Sequence, residues 1–260
     1  MATAADGGRR LDALLAHPDL DDIQFDEAVR TFRHRGRVVP GLLRPLKRAL
    51  WPNYKYDKAN DRSSRRFARA DTSLRRPADG RKRGSRVHTQ IETLTNYGTA
   101  AIKKRRGGGV AIDEYTRKFL LALKAYKLRP VVSELGLWAP ELNLATKADL
   151  ICLDERNRIV LVETKTGYYA SWDRACGRMR GPTVKPLSDS PRNQALVQLL
   201  FTKRMMERTY GTRVDRAYVI RVDPDGVTPY KLPPDIEASG DALAAFVSEG
   251  QRQKKRRRRT

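Results

Sequence analysis

The sequence predicts an α/β fold in which a mixed central sheet is covered by helices. Two observations carry this. Between about Arg86 and Val222, strand-like apolar runs alternate with helical patterns, the order that layers helices onto a sheet. Two of those runs, "KADLICL" and "RIVLVETK", are apolar on both faces, and such a sheet has to be covered on both sides.

The elements follow in order. "RLDALLAHP", "QFDEAVRTFRHRG" and "LLRPLKRALW" read as short helical patterns in a basic N-terminal extension, residues 1–85. "GSRVHTQIETL" reads as a helix with Ser85 as N-cap and Val87, Ile91 and Leu94 as its apolar stripe. "IDEYTRKFLLALKAY" reads as a helix with Asp113 at its start. Strands begin at Val131 ("VVSELGLW"), Lys147, Arg158 and Arg216 ("RAYVIRV"). Between the last two, Ser190 at the N-cap, Pro191 at the first helical position and Gly211 just past the end bound a further helix. These elements make a core of residues 86–235, followed by a basic tail, residues 236–260.

Lys and Arg number 53 against 30 Asp and Glu, a net charge of +23, which favours a polyanionic partner, most simply nucleic acid. The segment "DRSSRRFARADTSLRRPADGRKRGSR" reads as a solvated arm, and Lys254 to Arg259 as a run that stays disordered until an anion arrives. Both suit phosphate contacts without sequence preference, and the second is also compatible with a nuclear address. No apolar run approaches the roughly 18–20 residues of a membrane span. The start has no apolar core of a secretory signal, and Cys152 and Cys176 form neither a disulfide framework nor a metal knuckle. An intracellular protein without a membrane partner is therefore expected. Composition alone suits a packaging protein as well as an enzyme.

The hairpin "KADLICLDERNRIVLVETK" carries the chemistry. A three-residue loop, Glu155 to Asn157 with Asn157 left-handed, pairs Asp154 with Arg158 and sets Asp149 opposite Glu163. A two-residue loop would turn Asp149 to the wrong face. In the three-residue register Asp149, Glu163 and Lys165 share a face above Ile151, Leu153, Ile159 and Leu161, while Ala148, Leu150, Cys152, Val160 and Val162 form the other. Two carboxylates side by side repel each other unless a hard divalent cation such as Mg2+ lies between them. Lys165 beside it can orient a phosphate or stabilise charge on an attacking hydroxide. The plainer reading of Glu163 and Lys165 is a structural ion pair.

"KADLICLDERNRIVLVETKTG" resembles the core of the PD-(D/E)xK nucleases, in particular their RecB-type and lambda-exonuclease-like branch. The likeness covers about Gly84 to Val222, with the motifs in the family's order. His88 in "GSRVH" matches an upstream metal-binding histidine, Glu134 in "VVSELGLW" a glutamate on the preceding strand, and Gln194 and Gln198 in "NQALVQLL" the helix glutamine. The sequence departs in having Ala148 for the motif's proline, Lys147 for a small residue, and Gln198 or Thr202 where an aromatic often follows the glutamine.

The resemblance implies a restriction-endonuclease-like core and a DNA nuclease dependent on Mg2+ or Mn2+. The cation would be held by Asp149, Glu163, the carbonyl of Thr164 and His88, with Glu134 in support. Lys165 would act on the water or the transition state, with Gln194 or Gln198 facing the site. The branch points to an exonuclease in DNA repair, recombination or replication, in a viral or genome-maintenance setting. Tyr168, Tyr169 and Trp172 serve either as base platforms or as apolar cover for the sheet. The rivals are a non-catalytic DNA clamp on the same fold and a basic packaging protein.

Overall fold

Two sheets organise the chain in the computed structural model, which describes residues 6–51, 77–98, 112–167, 172–175, 177–184 and 186–257. A three-stranded antiparallel sheet is formed by β1 (Ile23–Asp26), β2 (Thr31–His34) and β3 (Arg37–Val39). A five-stranded sheet follows in sequence order: β4 (Arg129–Ala139), β5 (Leu144–Leu153), β6 (Ile159–Lys165), β7 (Arg216–Val222) and β8 (Val227–Lys231). It is mixed, because β6 and β7 run parallel while the other neighbours are antiparallel. The helices are α1 (Asp6–Leu15), α2 (Pro18–Asp21), α3 (Leu43–Ala49), α4 (Pro77–Tyr97), α5 (Glu114–Ala125), α6 (Pro191–Thr209), α7 (Pro234–Ala238) and α8 (Gly240–Arg257).

Both faces of the larger sheet are covered, as its apolar composition requires. On one, Val87 and Ile91 of α4 and Phe119 and Leu123 of α5 pack on Leu150, Cys152, Val160 and Val162. On the other, Ile151, Leu153, Ile159 and Leu161 lie in a larger core with Leu11 and Leu14 of α1, Leu46 of α3, Leu199 of α6, and Leu243 and Val247 of α8. Each aliphatic side chain buried in this way contributes about 1.5–3 kcal/mol. The N-terminal extension therefore shares the main core. The boundaries drawn from composition at 85/86 and 235/236 fall inside α4 and α7.

The hairpin has the register that its loop length demands. Leu150 faces Val162, Ile151 faces Leu161, and Leu153 faces Ile159. The Asp154 N–H donates to the Arg158 carbonyl at 3.1 Å, and Asn157 is left-handed at φ 53°. Asp154 closes the turn by accepting from the N–H groups of Arg156 and Arg158, both at 2.9 Å, from Arg158 Nε at 2.8 Å, and from Arg216. α1 docks on this turn at Gly7, where a Cβ would meet the Asn157 carbonyl oxygen at 1.5 Å.

Four expectations are corrected. "QFDEAVRTFRHRG" is the β1–β2 hairpin, with Phe25 opposite Phe32 and Asp26 Oδ1 accepting from the N–H groups of Ala28 and Val29 at 3.0 and 3.3 Å. The helix carrying His88 begins at Pro77, so Ser85 is interior to it; a Cβ at Gly84 would already lie 3.3 Å from Thr166 Oγ1. The basic tail is not wholly without structure, because α8 continues to Arg257. Its anchors Leu243 and Val247 are buried, and the Gln, Lys and Arg that follow are good helix formers. Ala148 packs in the larger core, not with Leu150 and Cys152. Leu137, Ala139 and Leu144 do the same, so the apolar alternation changes sides near Glu134, which stands at φ 56°.

Tyr168, Tyr169, Cys176 and the last residues of the tail lie outside the described residues, as does most of the basic arm. Trp172 is 2 % exposed and packs in the larger core, so its role is cover.

Candidate functional site

The β5–β6 ladder ends at Leu150–Val162, and the next pair in register would be Asp149 and Glu163. Here the Asp149 side chain takes up the backbone, with Oδ2 accepting from the Thr164 N–H at 2.8 Å. The Asp149 carbonyl accepts from Ser133 Oγ at 2.8 Å, which holds β4 against the same point. Glu134 follows Ser133 in the left-handed region, a conformation that costs a non-glycine residue roughly 1–2 kcal/mol.

α4 brings His88 to these carboxylates. Its Nδ1 lies 2.9 Å from Glu134 Oε1 and its Nε2 3.9 Å from Asp149 Oδ2. Ligand atoms of His88, Glu134 and Asp149 come within 4.8 Å of one another, a spacing that suits a cation. Burial alone would lower the His88 pKa, but the negative charge of Asp149 and the hydrogen bond to Glu134 outweigh it and raise it to about 9. The imidazole is thus protonated at neutral pH when no other cation is present. Burial also disfavours the Glu134 anion, yet His88 and Lys147 hold its pKa below the usual carboxylate value.

Glu163 is 1 % exposed and bonded to Lys165 Nζ. Burial, then the nearby charge of Asp149, push its pKa up to about 7, against the pull of Lys165. Lys165 Nζ also lies 3.4 Å from Gln198 Oε1. Gln194 turns elsewhere, donating from Nε2 to Asp189 Oδ1 at 2.8 Å, and Asp189 is fully buried. Gln198 is therefore the helix glutamine that reaches the ion pair. Thr164, expected to offer its carbonyl, is engaged through its N–H and is buried.

One wall of this site was not among the residues expected from the sequence. Lys147 Nζ lies 2.8 Å from Glu134 Oε2 and 2.9 Å from Glu27 Oε1, and 4.7 Å from the Phe25 ring centroid. Its place two residues before Asp149 was a usable signal, because strict strand alternation puts such a pair on one face. Glu27 and Phe25 come from the β1–β2 hairpin, and nothing local in the sequence points there. Arg83, 3 % exposed, donates to the Thr166 carbonyl at 3.2 Å and to the Tyr115 hydroxyl at 2.9 Å, joining α4, α5 and the end of β6. A second group of possible ligands, Asp19, Asp22 and His34, lies by the smaller sheet. Arg35 engages both aspartates there, at 2.7 Å to Asp22 and 3.7 Å to Asp19.

Among the described residues, no helix is long and apolar enough to cross a membrane. No family model matches the chain, and no curated protein does. Among solved structures, one described as "Crystal structure of SSO0001" is similar at 13 % identity with a TM-score of 0.34, over 93 % of this chain and 82 % of that one.

Proposed function

We propose that the chain is a divalent-metal-dependent deoxyribonuclease of the PD-(D/E)xK kind, with a restriction-endonuclease-like core. It acts as an exonuclease on DNA in repair, recombination or replication. The observation that carries this reading is the hairpin register, which turns Asp149, Glu163 and Lys165 towards one point, with His88 and Glu134 on one side and Gln198 on the other. A structural ion pair would account for Glu163 and Lys165. It would not account for a histidine and two further carboxylates gathered beside them.

The donor set fits a hard cation. Carboxylate oxygens suit Mg2+, and an imidazole nitrogen shifts the preference towards Mn2+. His88, Glu134 and Asp149 would hold the ion, with Glu163 beside them completing the set. When bound, such a cation would supply a Lewis acid that neutralises phosphate charge and lowers the pKa of water. Lys165 presents a positive charge to the scissile phosphate, and Gln198 fixes the direction of that ammonium. The excess positive charge holds the DNA backbone without reading its sequence.

Incubation of end-labelled linear and closed circular DNA with Mg2+, Mn2+ or EDTA tests the proposal. Metal-dependent release of nucleotides from linear DNA alone is expected. Cleavage of circles would make it an endonuclease. A gel shift without product under any metal would favour a non-catalytic DNA-binding or packaging protein.

A further inference from the structure

Lys147 has the attributes of a resident cation. Glu134 gives one oxygen to each of two positive groups, Oε1 to His88 Nδ1 at 2.9 Å and Oε2 to Lys147 Nζ at 2.8 Å. The ammonium is fixed from two other directions, by Glu27 Oε1 at 2.9 Å and by the Phe25 ring, its centroid 4.7 Å away. Phe25 is itself held against Phe32, with ring centroids 4.6 Å apart. The smaller sheet thus has a definite relation to the site: its first hairpin holds one charged group in place.

That position bears on how many metal ions the site accepts. In two-metal hydrolytic sites the ions lie about 3.5–4 Å apart. A second ion on Glu134 Oε2 would lie about 2.1 Å from that oxygen, in the space and field of the lysine ammonium.

We infer that Lys147 takes the place of a second metal ion, so that the site formed by His88, Glu134 and Asp149 binds a single divalent cation. This rests on the metal-site reading above and deepens it. Lys147 is a positioning residue here, acting through Glu134.

Titration of the full chain with Mn2+, followed by calorimetry and electron paramagnetic resonance, tests the inference. The wild type is expected to bind one ion that Asp149→Asn abolishes, with no spin-coupled Mn2+ pair. Lys147→Met should admit a second ion next to the first and give the coupled spectrum of a close pair, and Lys147→Arg should restore the wild-type count. An ion at Asp19, Asp22 and His34 would be recognised by its survival in Asp149→Asn and its lack of coupling. A coupled pair in the wild type overturns the inference without recourse to any variant. So does a folded Lys147→Met that still takes one uncoupled ion at this site, and in both cases the metal-site reading stands. No Asp149-dependent ion in the wild type overturns both.

Discussion

Gln194 and Gln198 sit one turn apart on α6 and serve different partners, which makes them a matched pair for testing. Gln198 touches Lys165, so Gln198→Ala should lower the turnover of DNA cleavage roughly 10–100-fold, the usual cost of losing a group that orients an active residue. Gln194→Ala should leave turnover near wild type and lower the melting temperature. It strips the hydrogen bond from a fully buried carboxyl, Asp189, at a cost of about 1–3 kcal/mol. Single-turnover assays and thermal melts of the two variants check this, and a reversed pattern would return Gln194 to the site. The residue types of the site were legible because strand periodicity places Asp149, Glu163 and Lys165 together. The kink at Glu134 was not, since glutamate has no preference for the left-handed region and only its partners hold it there.

The β5–β6 hairpin places Asp149, Glu163 and Lys165, and Asp154 and α1 stabilise its turn. Asp154 is held below the usual carboxylate pKa; burial pushes it up, but the Arg158 N–H and the guanidinium groups of Arg158 and Arg216 outweigh burial. A depressed folded-state pKa gives stability that is complete above the unfolded value of about 3.9 and is lost as pH falls through the folded value. Asp154→Asn should therefore cost about 2 kcal/mol at neutral pH, and its deficit against the wild type should shrink as pH falls below about 4 and on through the folded value. Melting curves across that range check the sign. Gly7→Ala should cost on the order of 1–3 kcal/mol, because its Cβ would strike the Asn157 backbone and push α1 off the turn. This hairpin was legible because a loop of given length admits one register. The β1–β2 hairpin was not. Phe25 and Phe32 are seven apart, a spacing that serves two turns of helix as well as a cross-strand pair, and only the packing of Phe32 and Val39 on Trp138 and Ala145 decides between them. Ser85 misled for a related reason: a capping residue type loses to a helix that already runs through Arg83 and Gly84, which pack against Tyr115 and Thr166.

At the scale of the molecule, the net charge of +23 and the buried site divide binding from chemistry. Removing the residues after Gly250 leaves the buried anchors Leu243 and Val247 of α8 in place and takes away the basic run. Each DNA phosphate no longer neutralised by a Lys or Arg takes about 0.9 off the slope of log affinity against log salt on duplex DNA. The truncated chain should bind more weakly at low salt, with a slope flatter by several units and unchanged turnover at saturating DNA. Salt titrations of affinity check this. On the proposed function, the Lys165 ammonium acts in cleavage and does not merely pair with Glu163. The most direct test of that role is the single-turnover cleavage rate of Lys165→Ala beside the wild type at saturating Mn2+, with DNA affinity measured in parallel. A loss on the order of 100-fold or more in rate with affinity nearly unchanged is expected. A variant that cleaves within about tenfold of the wild type would contradict it.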